Sequence, residues 1–291
     1  MLQKKRLIFA CVSIIPVMAI RLLTTIYPVV MAGYYSLLNY DLINQSKSWN
    51  FPENYLRLPN DTMFVDSLEF TLIYTIASVS LFIVFGILLA LLMKQDFPGR
   101  KLIRTVTLIP WAMPMIIVAI AASWAFNDTY GIINDLIRRT IIPDFHMHWL
   151  TNTVSSRISV ILVNVWKNAP FFAILMLAAF QGIPTELYES ARIDGAGAFK
   201  SFFSITLPCS LRTLIMTSMF NIIWSVNGFD IVYAMTKGGP GTSTSLLAYK
   251  VYMESLRNLN YGVASAVTVV MVAVSAFFAI IGMRTLRKID Y

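Results

Sequence analysis

Charge is what this chain has least of: only 13% of its 291 residues are Asp, Glu, Lys or Arg, about half the share of an ordinary soluble domain. Set against 57% hydrophobic residues, that scarcity excludes a water-soluble fold, which could not hide so much apolar surface. Cysteine is nearly absent. Cys11 and Cys209 each fall in an apolar run, so they offer neither a disulfide framework nor a metal-ligand spacing. Histidine is as scarce, and His146 and His148 stand two residues apart with no Cys or dense acidic cluster beside them, poor grounds for a metal site. No Ser/His/Asp or Cys/His set has the local context of an enzyme.

What is present is long apolar runs. Six segments, 8–38, 67–93, 104–126, 158–180, 209–234 and 262–284, reach the roughly 20 residues a membrane-spanning helix needs. Lys4-Lys5-Arg6 ahead of the first run mimics a secretory signal, but no small-x-small cleavage site comes after it and the apolar character continues past Arg21 to Leu38; a retained first helix is expected. Cations sort the connecting loops. One parity collects Lys4, Lys5, Arg6, Lys94, Arg100, Lys101, Arg104, Arg192, Lys200, Arg212, Arg284, Arg287 and Lys288, while the other holds fewer, interleaved with acids. Both termini are therefore expected in the cytoplasm, and the net charge of +8 decorates membrane edges rather than a nucleic-acid module. The outer loops are 39–66, 127–157 and 235–261, and the one long inner loop is 181–208. The expected fold is an all-α integral membrane protein with six transmembrane helices, divided into residues 1–66, the first helix and its outer loop, and 67–291, a five-helix core carrying loop 181–208.

That inner loop reads as two short amphipathic helices with a glycine hinge. Pro184 and Thr185 start the first, Gly195 and Gly197 break it, and Pro208 marks the start of the next membrane helix. Leu187, Ala191 and Ile193 are expected on an apolar side, with Glu186, Glu189, Arg192 and Asp194 facing water, a surface suited to another protein's groove. Gly195-Ala-Gly-Ala-Phe-Lys-Ser201 superficially resembles a phosphate loop, but Phe199 precedes Lys200 and the Gly-Lys-Ser/Thr step is missing. ATP binding must belong to a partner.

Glu189, Ala191, Gly195, Ile205, Leu207 and Pro208 fall at every spacing of the EAA signature, and the chain resembles the binding-protein-dependent ABC importer permeases that carry it. Ser190 replaces the first Ala, small for small. Ile183-Pro184, Glu186-Leu187 and Ile193-Asp194-Gly195-Ala196 resemble the carbohydrate-uptake branch. Tyr130-Gly-Ile-Ile-Asn134, Trp149-Leu150, Trp166-Lys-Asn-Ala-Pro-Phe171 and Gly238-Gly-Pro240 with Thr244, Leu247 and Tyr252 are similar to landmarks of the maltose-type first permease. The resemblance implies the type I importer permease fold in a bacterial cytoplasmic (inner) membrane. It further implies a heterodimer with a second permease, two cytoplasmic ATPase subunits that bind ATP and Mg, and an extracytoplasmic solute-binding protein. This chain itself would bind no cofactor. Glu189 would be the main polar contact to the ATPase and Gly195 the hinge, with Glu186, Ser190, Ala191, Asp194, Ile205, Leu207 and Pro208 completing the coupling set.

Polar residues within the spans are the second signal, because a charge at mid-membrane costs roughly 2.5–3.5 kcal/mol and usually faces protein or water. Asn164, Lys167, Asn168 and Phe171 share one helical face; Thr213, Thr217, Asn221, Ser225 and Gly228 share another, with Trp224 and Asn227 beside it. Planar carboxamides and aromatic faces suit a sugar, so Asn164, Lys167, Asn168, Asn221, Trp224, Ser225, Asn227 and Gly228 are the expected substrate path, although Asn, Ser and Thr also serve as interhelical glue. Lys167 could equally pair with a carboxylate, and Arg21 snorkel or meet the partner. Asp230 is expected to cap a helix or touch a gate. Lys167 and Arg21 leave an acidic saccharide open as the substrate. The competing function is an ion-coupled secondary transporter using Lys167 and Asp230, which predicts inverted repeats and broken helices and leaves the EAA loop unexplained.

Overall fold

The computed structural model describes residues 12 and 14–288; Lys4, Lys5, Arg6 and Cys11 lie outside the described residues. The chain forms two compact units, Met1–Asp61 with Lys250–Val270 and Thr62–Tyr249 with Met271–Tyr291.

In the first unit, helix α1 (Ile14–Tyr35) has the length and composition of a span, with no part of its most apolar stretch buried. Arg21 is exposed on it. The segment after it departs from an all-helical reading: strands β1 (Leu38–Asp41) and β2 (Ser46–Trp49) pair antiparallel, with Leu38 opposite Trp49 and Asp41 opposite Ser46. Asp41 builds the turn by accepting from the amides of Ile43 (2.8 Å) and Asn44 (3.1 Å), and bonds from the Asn44 amide and side chain hold its carboxyl below the usual range. After the short helix α2 (Glu53–Arg57), buried Asn54 donates to the carbonyls of Ser36 (2.9 Å) and Leu38 (2.8 Å). Buried Lys250 sits between Asp61 (2.5 Å) and Glu254 (2.6 Å), so its ammonium is paired on both sides.

The second unit is built on α3 (Thr62–Lys94) and α7 (Thr153–Gln181), which pack along each other. Ser67, Phe70, Thr71, Tyr74, Ser78 and Phe82 recur every three or four residues and give α3 one buried stripe. Further along, a Cβ on Gly86 would run into the Phe172 ring; glycine is what lets the two helices approach there. Between lipid-solvated helices, close packing and hydrogen bonding supply the association energy that water expulsion supplies elsewhere. Asn152 caps α7 by accepting from the amides of Val154 (3.0 Å) and Ser155 (3.2 Å).

The expected span 104–126 is not one helix. It is α4 (Arg100–Ala112) and α5 (Met115–Ala125), bent by 91°. Pro114 has no amide to give, and it forces Met113 into an extended conformation (φ −74°, ψ 142°). The loop after α5 contains α6 (Ile132–Thr140) and two of the landmark stretches, which meet: Asn134 donates to the carbonyls of Asp128 (3.1 Å) and Met147 (3.0 Å) and accepts from the Trp149 indole (2.9 Å). Burial alone would raise the Asp128 carboxyl, but hydrogen bonds from Thr151, the Leu150 and Trp149 amides and His148 outweigh it and hold the carboxyl low.

The expected span 209–234 also needs correction. After α8 (Thr185–Ile193), helix α9 runs from Ala198 to Val226, then breaks at Asn227 and Gly228 before the short α10 (Asp230–Met235). Pro208 therefore lies inside α9 rather than at its start. A π turn at Phe202–Thr206 widens the helix just ahead of that ring and avoids its clash with the preceding turn. Helices α11 (Leu247–Tyr252) and α12 (Tyr261–Arg287) complete the chain. Ahead of α11, Thr244 bonds the carbonyl of Gly239 (2.7 Å), and Thr71 accepts from the Leu247 amide (2.9 Å).

Candidate functional site

Both helix breaks open on the same place. A cavity of about 430 Å³ lies among α3, α4, α5, α7, α9 and α10 within the second unit, and Asn164, Lys167, Asn168, Asn221, Trp224, Ser225, Asn227 and Gly228 all line it. The two stripes inferred from helical spacing thus converge. Asp230 joins them as the first residue of α10.

The polar lining is half engaged and half free. Asn164 donates to the Ser78 hydroxyl (3.1 Å) and accepts from Asn168 (2.8 Å). Asn221 donates to the Thr217 carbonyl (2.9 Å) and Asn227 to that of Ile223 (2.7 Å). Each amide nitrogen is thereby oriented by its own backbone or neighbour, and the side-chain oxygens of Asn168, Asn221 and Asn227 accept no hydrogen bond from any described residue. Fixed acceptors on a concave wall suit hydroxyl donors. Thr213 and Thr217 contribute differently: Thr217 turns its hydroxyl back onto the Thr213 carbonyl (2.8 Å), as helical threonines commonly do.

Helical spacing places Phe171 and Trp224 on the two polar faces but carries no sign of Trp111, which completes an aromatic wall. Trp111 stacks on Phe171 with centroids 4.7 Å apart and planes 8° apart, and Phe171 meets Trp224 at 5.9 Å. Trp111 comes from the last turn of α4, beside the break, so its place depends on a bend that no periodicity reveals. Lys167, only 8% exposed, donates to the Trp111 carbonyl (3.2 Å); the carboxylate partner considered for it is not among its bonds.

The residues expected to couple to an ATPase lie apart from this cavity, mostly on exposed surface. On α8, Glu186, Glu189 and Ser190 are exposed and Ala191 half-buried. Gly195 takes φ +75° and closes the helix: its amide bonds the Arg192 carbonyl (3.0 Å) and that of Ala196 bonds Ala191 (2.8 Å), the two bonds of a Schellman cap. Asp194 and Gly195 are both exposed. The expected apolar side does not form, since Ile193 is 87% exposed; it stands six positions from Leu187, which carries it off the face that Leu187 and Ala191 share. Ile205 sits in the π turn, and Leu207 and Pro208 come next in α9. The anchor of this loop was not legible: the Tyr188 hydroxyl bonds Thr206 (2.9 Å) and receives Lys94 (3.3 Å), whose ammonium also lies 4.5 Å from the Tyr188 ring centroid. A single half-buried tyrosine on an exposed helix leaves no pattern to read.

A multi-pass membrane chain with a polar cavity at two helix breaks and a projecting capped helix is a transport permease by design, not an enzyme. Residues 82–289 match the model of the binding-protein-dependent transport system inner membrane component, and the chain belongs to that family. It is 35% identical to the trehalose/maltose transport system permease protein MalF of Thermococcus litoralis, over 94% of this chain and 92% of that one. It is 32% identical to the sulfoquinovosyl glycerol transport system permease protein SmoG of Agrobacterium fabrum, over 97% and 92%. Among solved structures, a chain of a bacterial alginate ABC transporter in complex with an alginate pentasaccharide-bound periplasmic protein superposes with a TM-score of 0.85 at 23% identity, covering 99% of this chain and 96% of the other. That likeness fixes the fold as that of type I importer permeases. Broken spans alone would also suit an ion-coupled carrier; the family decides between the two.

Proposed function

We propose that this chain is the first permease of a carbohydrate importer, forming half of a heterodimeric pathway that passes a sugar into the cytoplasm by alternating access. The observation that carries the reading is the cavity itself: oriented carboxamide oxygens and a Trp111–Phe171–Trp224 aromatic wall provide the hydroxyl acceptors and ring face that a saccharide needs. Its relatives bear names for trehalose/maltose and sulfoquinovosyl glycerol, which supports an oligosaccharide or sugar derivative. An acidic sugar is a second reading, favoured by Lys167 in the lining; Asp230 in the same wall offsets that charge.

Glu186, Glu189, Ser190, Ala191, Asp194 and Gly195 on the α8 side, with Ile205, Leu207 and Pro208 at the base of α9, are the docking set for the ATPase that binds ATP and Mg. The termini are cytoplasmic in this arrangement, and the extracytoplasmic binding protein delivers sugar to the opposite face. Residues 1–66 serve as a first helix and outer loop attached to the transporting core, 67–291.

Proteoliposomes holding this chain with its second permease, both ATPases and the cognate binding protein test the proposal. Uptake of radiolabelled maltose, trehalose or a glucuronate-containing disaccharide is expected only with internal ATP and both ATPases. Uptake driven by a proton or sodium gradient with the ATPases omitted would overturn it. Trp224→Ala is expected to raise the uptake KM by about threefold to tenfold, the worth of one aromatic contact of roughly 0.5–1.5 kcal/mol.

A further inference from the structure

The projecting loop and the cavity are joined by an unbroken set of contacts that runs through the bent third span. Tyr188 of α8 receives Lys94, the last residue of α3 (3.3 Å). One residue earlier, the Met93 carbonyl accepts from the Arg104 guanidinium of α4 (2.5 Å). Helix α4 then ends at the break, where the Trp111 carbonyl accepts from Lys167 (3.2 Å) and the Trp111 ring lies flat on Phe171.

The chemistry of the break explains the lysine. Carbonyls in the last turn of a helix have no donor within it. Continuation of α4 would supply amides from residues 114 and beyond, but Pro114 has none and Met115 opens a helix turned by 91°. A buried ammonium at that C-terminal end satisfies one orphan carbonyl and meets the favourable end of the helix dipole. Lys167 is thereby tied to the backbone of a hinge, not only to the space it lines.

We propose that Lys167 is a positioning residue, the latch that holds the hinge of the third span and with it the Trp111–Phe171 wall, and that the α8–Lys94–Arg104–α4 contacts make this latch the cavity end of the ATPase coupling path. The inference rests on the ATP-driven permease reading above. Displacement of α8 carries the end of α3 and then α4, because Lys94 and Arg104 bind each to the next. Helix α4 pivots at Met113–Pro114, and Trp111 leaves Phe171 only when the Lys167 bond is given up. Without that bond α4 swings whether or not the cavity is filled, and ATP is hydrolysed to no purpose.

The test is ATP hydrolysis by the complete reconstituted complex, measured without binding protein or sugar and then with liganded binding protein. Lys167→Met is expected to raise the unstimulated rate about tenfold, within the range by which coupling residues act, and to abolish stimulation. Lys167→Arg, which keeps a cationic donor for the Trp111 carbonyl, is expected to restore the binding-protein stimulation that Lys167→Met loses. Tyr188→Phe combined with Lys167→Met is expected to give non-multiplicative effects, as residues on one path do. An unstimulated rate in Lys167→Met within about twofold of wild type, or a rise in uptake KM with stimulation intact, overturns the latch. If the Met variant does not assemble, Lys167→Arg decides: an uncoupled Arg variant overturns it, and a coupled one supports it. A wild-type complex that shows no binding-protein-stimulated hydrolysis sinks the importer reading instead.

Discussion

The cavity and the coupling helix are both polar, yet they are finished in opposite ways. Around the cavity, Asn164, Ser78 and Asn168 bond one another, and Asn221 and Asn227 bond their own helix, so this chain supplies the orientation itself. On α8, Glu186, Glu189 and Ser190 project with no hydrogen bond to any described side chain; Ile193 at its end and Phe199 in the first turn of α9 are 87% and 79% exposed. Charged and apolar groups so fully displayed at one place mark a surface completed by another protein. On the function proposed above, the site that would hold a passing ligand is preorganised by its own fold, whereas the one that would transmit force is left for a partner to close.

The largest effect that would sharpen this contrast is expected at Glu189. Reversing its charge in Glu189→Lys should abolish co-purification of the ATPases while leaving the chain in the membrane with unaltered thermal stability, because no internal bond is lost. A drop in thermal stability as large as the loss of association would break the contrast. Next comes Asn164→Leu, which strips the Ser78 hydroxyl of its bond to this side chain and leaves the Asn168 amide only the Asn164 backbone carbonyl (3.2 Å). It should destabilise the detergent-solubilised chain by about 1–3 kcal/mol, the cost of stranded buried polar groups, with ATPase association retained; melting and pull-down together check this. The smallest effect belongs to Ser190→Ala, which restores the signature's alanine at an exposed position and should alter association by less than about 0.5 kcal/mol, read as an ATPase titration.

Much of this was legible before any coordinates. Gly195 reads as a helix stop from its place after Asp194, and it does close α8. The four-residue steps that group Asn164 with Asn168 and Asn221 with Ser225 are features of a single helix, and they survive folding. The breaks were less legible. Pro110 and Pro114 announce a disturbance in the third span, yet prolines are common in membrane helices, and nothing local fixes a bend of 91°. Asn227, Gly228 and Asp230 interrupt the apolar run only briefly, so the fifth span reads through its own break. Pro208 misleads in the other direction, since a π turn absorbs it.

By itself, the sequence determined that this chain lives in a membrane, which faces of its helices are polar, and which loop bears the EAA spacing, because composition, helical period and motif spacing are properties of neighbouring residues along the chain. Only the tertiary structure decided that the two polar faces enclose one cavity, that Trp111 stacks there on Phe171, and that Lys167 is bonded to a backbone carbonyl 56 positions earlier. Those contacts join helices distant in sequence at points where the backbone is broken, and neither the break nor the neighbour it brings leaves a periodic trace.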